Sequence, residues 1–252
     1  SVGYRLCRPQ STKLQLMLAS LVLLAIVGWI TTDPCHWGKR VLWMEMAMLF
    51  LVVLLVYMVW SRSKPMRHPT QVLDIARAMR SASPWLAHVG GNVEHSFMMG
   101  HSAGCHLATT LFASPEYWVH TGLPRRCMRF MVLVAGVFSA KLLREERSGR
   151  FVGEIAFDPD DSKWNNYFAY ELIRKHPEIV FPPTLLLSAW YDFGLRAHAE
   201  VFTEVLLSRG VEVRWDTIRD TNHFDITHFW RGGRHNQIRE NVLHYIETMS
   251  QV

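Results

Sequence analysis

The fold is decided at Gly100-His101-Ser102-Ala103-Gly104, which stands between His95–Met99, read as a short buried strand, and the helix-prone run Ala103–Ala113. G-x-S-x-G is common enough to arise by chance. Set between a strand and a helix, it describes a sharp turn that only small flanking residues allow, and it lifts a serine oxygen above the end of the strand. The following helix points its positive end at that oxygen. The amide of Ala103, the residue after the serine, is placed to donate to a developing oxyanion.

On either side of this turn the chain alternates strands and helices. Residues 130–135 (F-M-V-L-V-A) and 184–189 (T-L-L-L-S-A) read as buried strands, and 211–218 as a fourth strand. Helices are expected over 70–81, with Val72, Ile75, Ala76 and Met79 on one face, and over 197–208, closed by Gly210. A last helix over 236–249 carries Ile238, Val242, Tyr245 and Met249 on one face. Residues 148–166 are polar with few apolar anchors and read as a loop or lid. The alternation predicts an α/β protein with a parallel sheet covered on both faces.

A serine hydroxyl is a weak nucleophile until a base takes its proton. Asp192 follows the strand at 184–189, and His223 follows the strand at 211–218 in the short loop R-D-T-N-H-F. Both sit past the carboxyl end of a strand, where sites collect in parallel sheets. The order Ser, Asp, His assigns Ser102 as nucleophile, His223 as general base and Asp192 as the group that orients the imidazole. His228 is the best substitute base. His101 and His106 are too local to the turn for that role, and Asp220 and Asp225 lie too near His223 in the chain to be its acid. His88-Val89-Gly90-Gly91 imitates an oxyanion loop, but it stands just ahead of the Ser102 strand and reads as a turn.

Composition bounds the rest. The 252 residues carry 49% apolar and 19% charged side chains with net charge +5, so disorder is excluded as the main state. The four cysteines form no C-x-x-C, and the thirteen histidines show no zinc-site spacing, so no metal is expected. The basic residues form no stripe with aromatics, which argues against nucleic acid. Residues 14–32 carry no charge, and 41–60 carry only Glu45. Each is long enough to cross a hydrocarbon core of about 30 Å. Arg5, Arg8 and Lys13 precede the pair and Arg62, Lys64 and Arg67 follow it, so the flanks belong on the cytoplasmic side. The expectation is a two-span membrane hairpin; the same runs would also serve as two buried helices of a soluble core.

With these residues in hand, the chain resembles α/β-hydrolase esterases of the hormone-sensitive-lipase and kynurenine-formamidase-like group, including the feruloyl-esterase-like branch. The resemblance rests on S-V-G-Y-R-L at 1–6, H-P-T-Q-V-L-D-I-A-R-A at 68–78, V-G-G-N at 89–92 and M-G-H-S-A-G-C-H-L-A at 99–108. F-P-P-T-L-L-L-S-A-W-Y-D ending at Asp192 and T-N-H-F around His223 complete it. It implies an α/β-hydrolase fold, cleavage of a small-molecule ester or aryl-formamide bond through an acyl-enzyme, and no cofactor. It carries the roles of nucleophile, acid and base onto Ser102, Asp192 and His223. Such enzymes join the Y-R-L and H-P segments by a short loop and carry further strands before them. The expected organisation is therefore a strand remnant at 1–13, a hairpin at 14–60 and a catalytic domain at 61–252, truncated at the N-terminus. With Ala103 as its only oxyanion donor such a chain loses roughly 3–4 kcal/mol of transition-state stabilisation. A weakly active or inactive hydrolase-like membrane scaffold is the alternative expectation.

Overall fold

In a computed structural model, residues 66–227 and 236–250 are described. The chain divides into two units, Leu6–Met66 and Ser1–Arg5 with Arg67–Val252, and every element named below belongs to the second. The two apolar stretches at 14–32 and 41–60 lie outside the described residues. Among the described residues no helix is long and apolar enough to cross a membrane.

In chain order the elements are α1 (Thr70–His88), β1 (Ser96–His101), α2 (Ala103–Ala113), α3 (Pro115–Trp118), β2 (Met128–Val134), α4 (Ala140–Glu145), α5 (Arg147–Ala156), α6 (Ala169–Lys175), β3 (Thr184–Tyr191), α7 (Leu195–Leu207), β4 (Val213–Asn222) and α8 (Asn236–Ser250). The four strands pair in the order β1-β2-β3-β4, every pair parallel. All four carboxyl ends therefore open on one edge of the sheet.

Alternation along the central strands builds two cores. Met131, Leu133 and Leu186 pack with Val72 and Ala76 of α1, Leu107 and Leu111 of α2 and Phe202 of α7. Phe130, Val132, Val134, Leu185, Leu187 and Ala189 face the other way, onto Ile238, Val242, Tyr245 and Met249 of α8. Side chains alternate across a strand, so continuous apolar runs are what a sheet covered on both faces requires.

Three readings need correction. β1 is not a buried strand: its exposure alternates, with Phe97 and Met99 open to solvent. Among the described residues it pairs only with β2 and so bounds the described sheet, and there Phe97 finds cover by stacking on Phe130 at 4.7 Å. α1 runs to His88 rather than 81, because the backbone continues through residues none of which is fully buried, the exposed Trp85 among them. Burial patterns lose sight of a helix where burial stops. Residues 148–166 are not a loop: they hold α5 and a 3₁₀ helix, Asp161–Asn166. Few apolar anchors suffice there because Trp164 is fully buried and its Nε1 donates to the Asp158 carbonyl at 2.8 Å.

Gly153 of α5 lies flat against that indole, and a Cβ there would collide with the Trp164 ring. Gly153→Ala gains about 1 kcal/mol of helix propensity. Overpacking against an indole with no room to retreat costs about 1–3 kcal/mol. The net expectation is destabilisation in urea titrations, relieved when Trp164→Phe is added. A stabilised Gly153→Ala protein would contradict this packing.

Candidate active site

The ends of β1, β3 and β4 hold the three candidate side chains. After β1, Ser102 adopts φ 54° and ψ −121°, outside the regions L-residues favour. Such a conformation costs on the order of 1–3 kcal/mol and persists only where its surroundings impose it. They do: Ser102 N–H donates to the Val134 carbonyl at 2.9 Å, and Cys105 Sγ donates to the same oxygen at 3.2 Å. Gly100 is required because a Cβ would come within 2.7 Å of the Cys105 amide nitrogen. Gly104 has open space around it, so the two glycines of the motif are not equivalent.

β3 ends at Tyr191, and Asp192 follows at once in a turn where Phe193 also takes positive φ. Asp192 is 4% exposed, and its Oδ2 accepts from the Ala189 amide at 3.3 Å. β4 reaches its end by a bulge. Ala189 pairs with Ile218 but Tyr191 with Asn222, so β4 spans the same step with two extra residues. Asp220, at positive φ, absorbs the bend. The detour brings His223 back over the sheet edge, where its N–H donates to the Tyr191 carbonyl at 3.1 Å.

The three side chains meet. His223 Nδ1 lies 2.6 Å from Asp192 Oδ1, and His223 Nε2 lies 2.9 Å from Ser102 Oγ. A carboxylate only accepts, so Nδ1 carries the proton and donates; the lone pair of Nε2 then faces the serine and accepts from its hydroxyl. This geometry lets an imidazole draw a proton from a hydroxyl while a buried acid fixes the ring. Ala103 is the first residue of α2, so its amide is among the first-turn donors that find no acceptor within the helix.

Other candidates fall elsewhere. His106 is buried against Phe157 and Phe168, with ring centroids at 5.0 and 4.5 Å. His228 lies outside the described residues. Asp220 belongs to the bulge, and Asn222 Nδ2 bonds Asp225 Oδ2. The His88–Gly91 segment is a turn: the amides of Val89, Gly90 and Gly91 donate to Trp85, Ala87 and Leu86 and close the end of α1. Trp164 and Phe168 are fully buried core aromatics. No group of metal-ligating side chains occurs among the described residues.

Sequence reasoning set His101 aside, yet it stands against the array. Its Nε2 donates to the His223 carbonyl at 2.9 Å, and the two rings lie 4.7 Å apart. Burial lowers its pKa, partly countered by that carbonyl, so His101 favours the neutral state beside the His223 ring. A bond to a main-chain oxygen 122 residues away leaves no mark on the sequence. Phe193 and Phe224 flank the His223 ring at 5.6 and 5.3 Å and are 69% and 64% exposed, forming an aromatic rim.

The fold is α/β-hydrolase-like. Esterase B from Lactobacillus rhamnosis superposes with a TM-score of 0.59 at 17% identity, over 77% of this chain and 69% of that one. A structure from a study of two fungal esterases of Rhizomucor miehei gives 0.60 at 18%, over 73% of this chain and 61% of that one. The esterase of Pyrobaculum calidifontis gives 0.54 at 18%, over 73% and 62%. At such identities the likeness speaks for the fold. No family model and no curated protein sequence matches the chain.

Proposed function

We propose that the protein is a serine hydrolase that cleaves a small carboxylic ester, or an aryl-formamide, through an acyl-enzyme. The observation that carries this reading is the continuous chain from Ser102 Oγ through His223 to buried Asp192, at 2.9 and 2.6 Å. The esterase names borne by structures of the same fold support the ester in particular.

Ser102 Oγ attacks the substrate carbonyl carbon while its proton passes to His223 Nε2. Asp192 stabilises the imidazolium that results. The carbonyl oxygen becomes an oxyanion and accepts from the Ala103 amide. Collapse breaks the bond to the alcohol or amine, which leaves with the proton held by His223. Water then gives a proton to His223 and attacks the acyl carbon, releasing the acid and restoring Ser102.

A fluorophosphonate is expected to add to the purified protein at one site, and peptide mass spectrometry should place the adduct on Ser102. Wild-type protein should also turn over p-nitrophenyl butyrate. An unlabelled protein, or an adduct on another residue, would overturn the reading.

We also propose that residues 14–32 and 41–60 attach the enzyme to a membrane, on the strength of their length and of the basic residues outside them. The full chain is then expected to stay with the membrane pellet after alkaline carbonate, and a chain lacking 14–60 to leave it. Release of the full chain by carbonate would contradict attachment.

A further inference from the structure

A cavity of about 740 Å³ opens at the edge of the sheet opposite Ser102, where β2 and β3 begin. None of Ser102, Asp192 and His223 lines it. Its volume falls in the range of sites that hold small organic ligands, roughly 300–1,000 Å³.

One wall is cationic. Arg125 is pinned there: its Nε donates to the Phe112 carbonyl at 3.1 Å, and its guanidinium lies 5.9 and 5.8 Å from the centroids of Phe112 and Trp118. A guanidinium fixed by that bond and by two ring contacts keeps a positive charge at this wall, which favours an anion there. Arg126 and Arg129 share the lining. Glu178, bonded to His176 at 3.1 Å, is the one acid of the lining, and Glu94 lies 3.9 Å from Arg126 outside it, so the three arginines keep one net positive charge. The other wall is apolar. Val180 is 75% exposed on it, between Ile179 and Phe181, with Pro182 beyond.

We infer that this cavity binds an amphipathic organic anion, whose carboxylate or phosphate head lies against the wall of Arg125, Arg126 and Arg129 and whose apolar body lies along Ile179–Pro182. A purely apolar ligand leaves that wall without a counter-charge, and an inorganic anion leaves the Val180 side open to water. The inference stands apart from the hydrolase reading, since no residue of the proposed triad enters it.

Calorimetric titration of the full-length protein with decanoate, decyl phosphate and decanol tests it. Saturable binding of at least one anion is expected, with decanol at least tenfold weaker; the tighter of the two anions identifies the head group. Arg125→Ala risks the packing of Phe112 and Trp118, so the informative variants are Arg129→Glu and Val180→Asp, each expected to weaken anion binding tenfold or more. Ser102→Ala should bind as the wild type does, whether or not the protein is a hydrolase. A diazirine-bearing decanoate should crosslink within 178–183. Absence of saturable anion binding, equal binding of decanol, unchanged affinity in both variants, or crosslinks confined to peptides holding Ser102 or His223 would each overturn the proposal.

Discussion

Ser102→Ala is expected to lower kcat on p-nitrophenyl butyrate by a factor on the order of 10⁶, with KM little changed. The magnitude follows from removing the attacking atom in a site where nucleophile, base and acid act as one unit. Asp192→Asn should cost less, on the order of 10⁴, for a different reason. An amide at 192 can donate through its nitrogen. His223 Nδ1, now 2.6 Å from a carboxylate oxygen, then becomes the acceptor and Nε2 carries the proton. A protonated Nε2 cannot take the hydroxyl proton of Ser102, although it stays 2.9 Å away. The two variants should both fold, since neither changes side-chain volume much. Steady-state kinetics on each, with circular dichroism to verify folding, reads the result. Equal, small losses in both would mean that turnover arises elsewhere in the molecule.

The parts of this site that the sequence discloses are those governed by local chemistry. The strained turn at Ser102 and the helix Ala103–Ala113 are written into five residues and the apolar run after them, and the helix takes those bounds. The α8 face is legible because Ile238, Val242, Tyr245 and Met249 recur at helical spacing, and all four are buried. Asp192 could be placed at a strand end because an apolar run stops just ahead of it, and His223 because the alternating stretch V-E-V-R-W-D-T-I at 211–218 precedes its loop. What the residues do not disclose is the path. β4 continues to Asn222 rather than stopping near Ile218, and its bulge at Asp220 has no glycine to announce it. His101 works through a main-chain oxygen, which has no letter in the sequence. The helix at Arg147–Ala156 does carry a short apolar stripe, Phe151, Val152 and Ile155, but the polar residues that crowd 148–166 mask it.

Acid is expected to unfold this protein steeply, and the cause lies away from the proposed triad. His106 and His198 are buried, and burial lowers their pKa values to about 3 and about 4. His68, half-buried against Tyr167, is lowered to about 4 by the same desolvation. His198 is also tied to the neutral form by geometry, since its Nδ1 accepts from the Phe138 and Ser139 amides, both at 3.2 Å. Below the unfolded value of about 6.5 the unfolded chain binds protons that the folded chain refuses. Stability is therefore full above that pH and is lost as pH falls towards about 4. Three such protons give a slope of up to about 4 kcal/mol per pH unit, against a typical total of about 5–15 kcal/mol. Urea midpoints at pH 7, 6 and 5 should fall accordingly. His106→Phe supplies the control: the ring sits among Phe157 and Phe168, and its Nε2 has no partner among the described residues. That variant should lose about one proton from the slope and be more stable than the wild type at pH 5. A stability that stays flat from pH 7 to 5, or a slope unchanged in His106→Phe, would show that these rings are not what acid attacks.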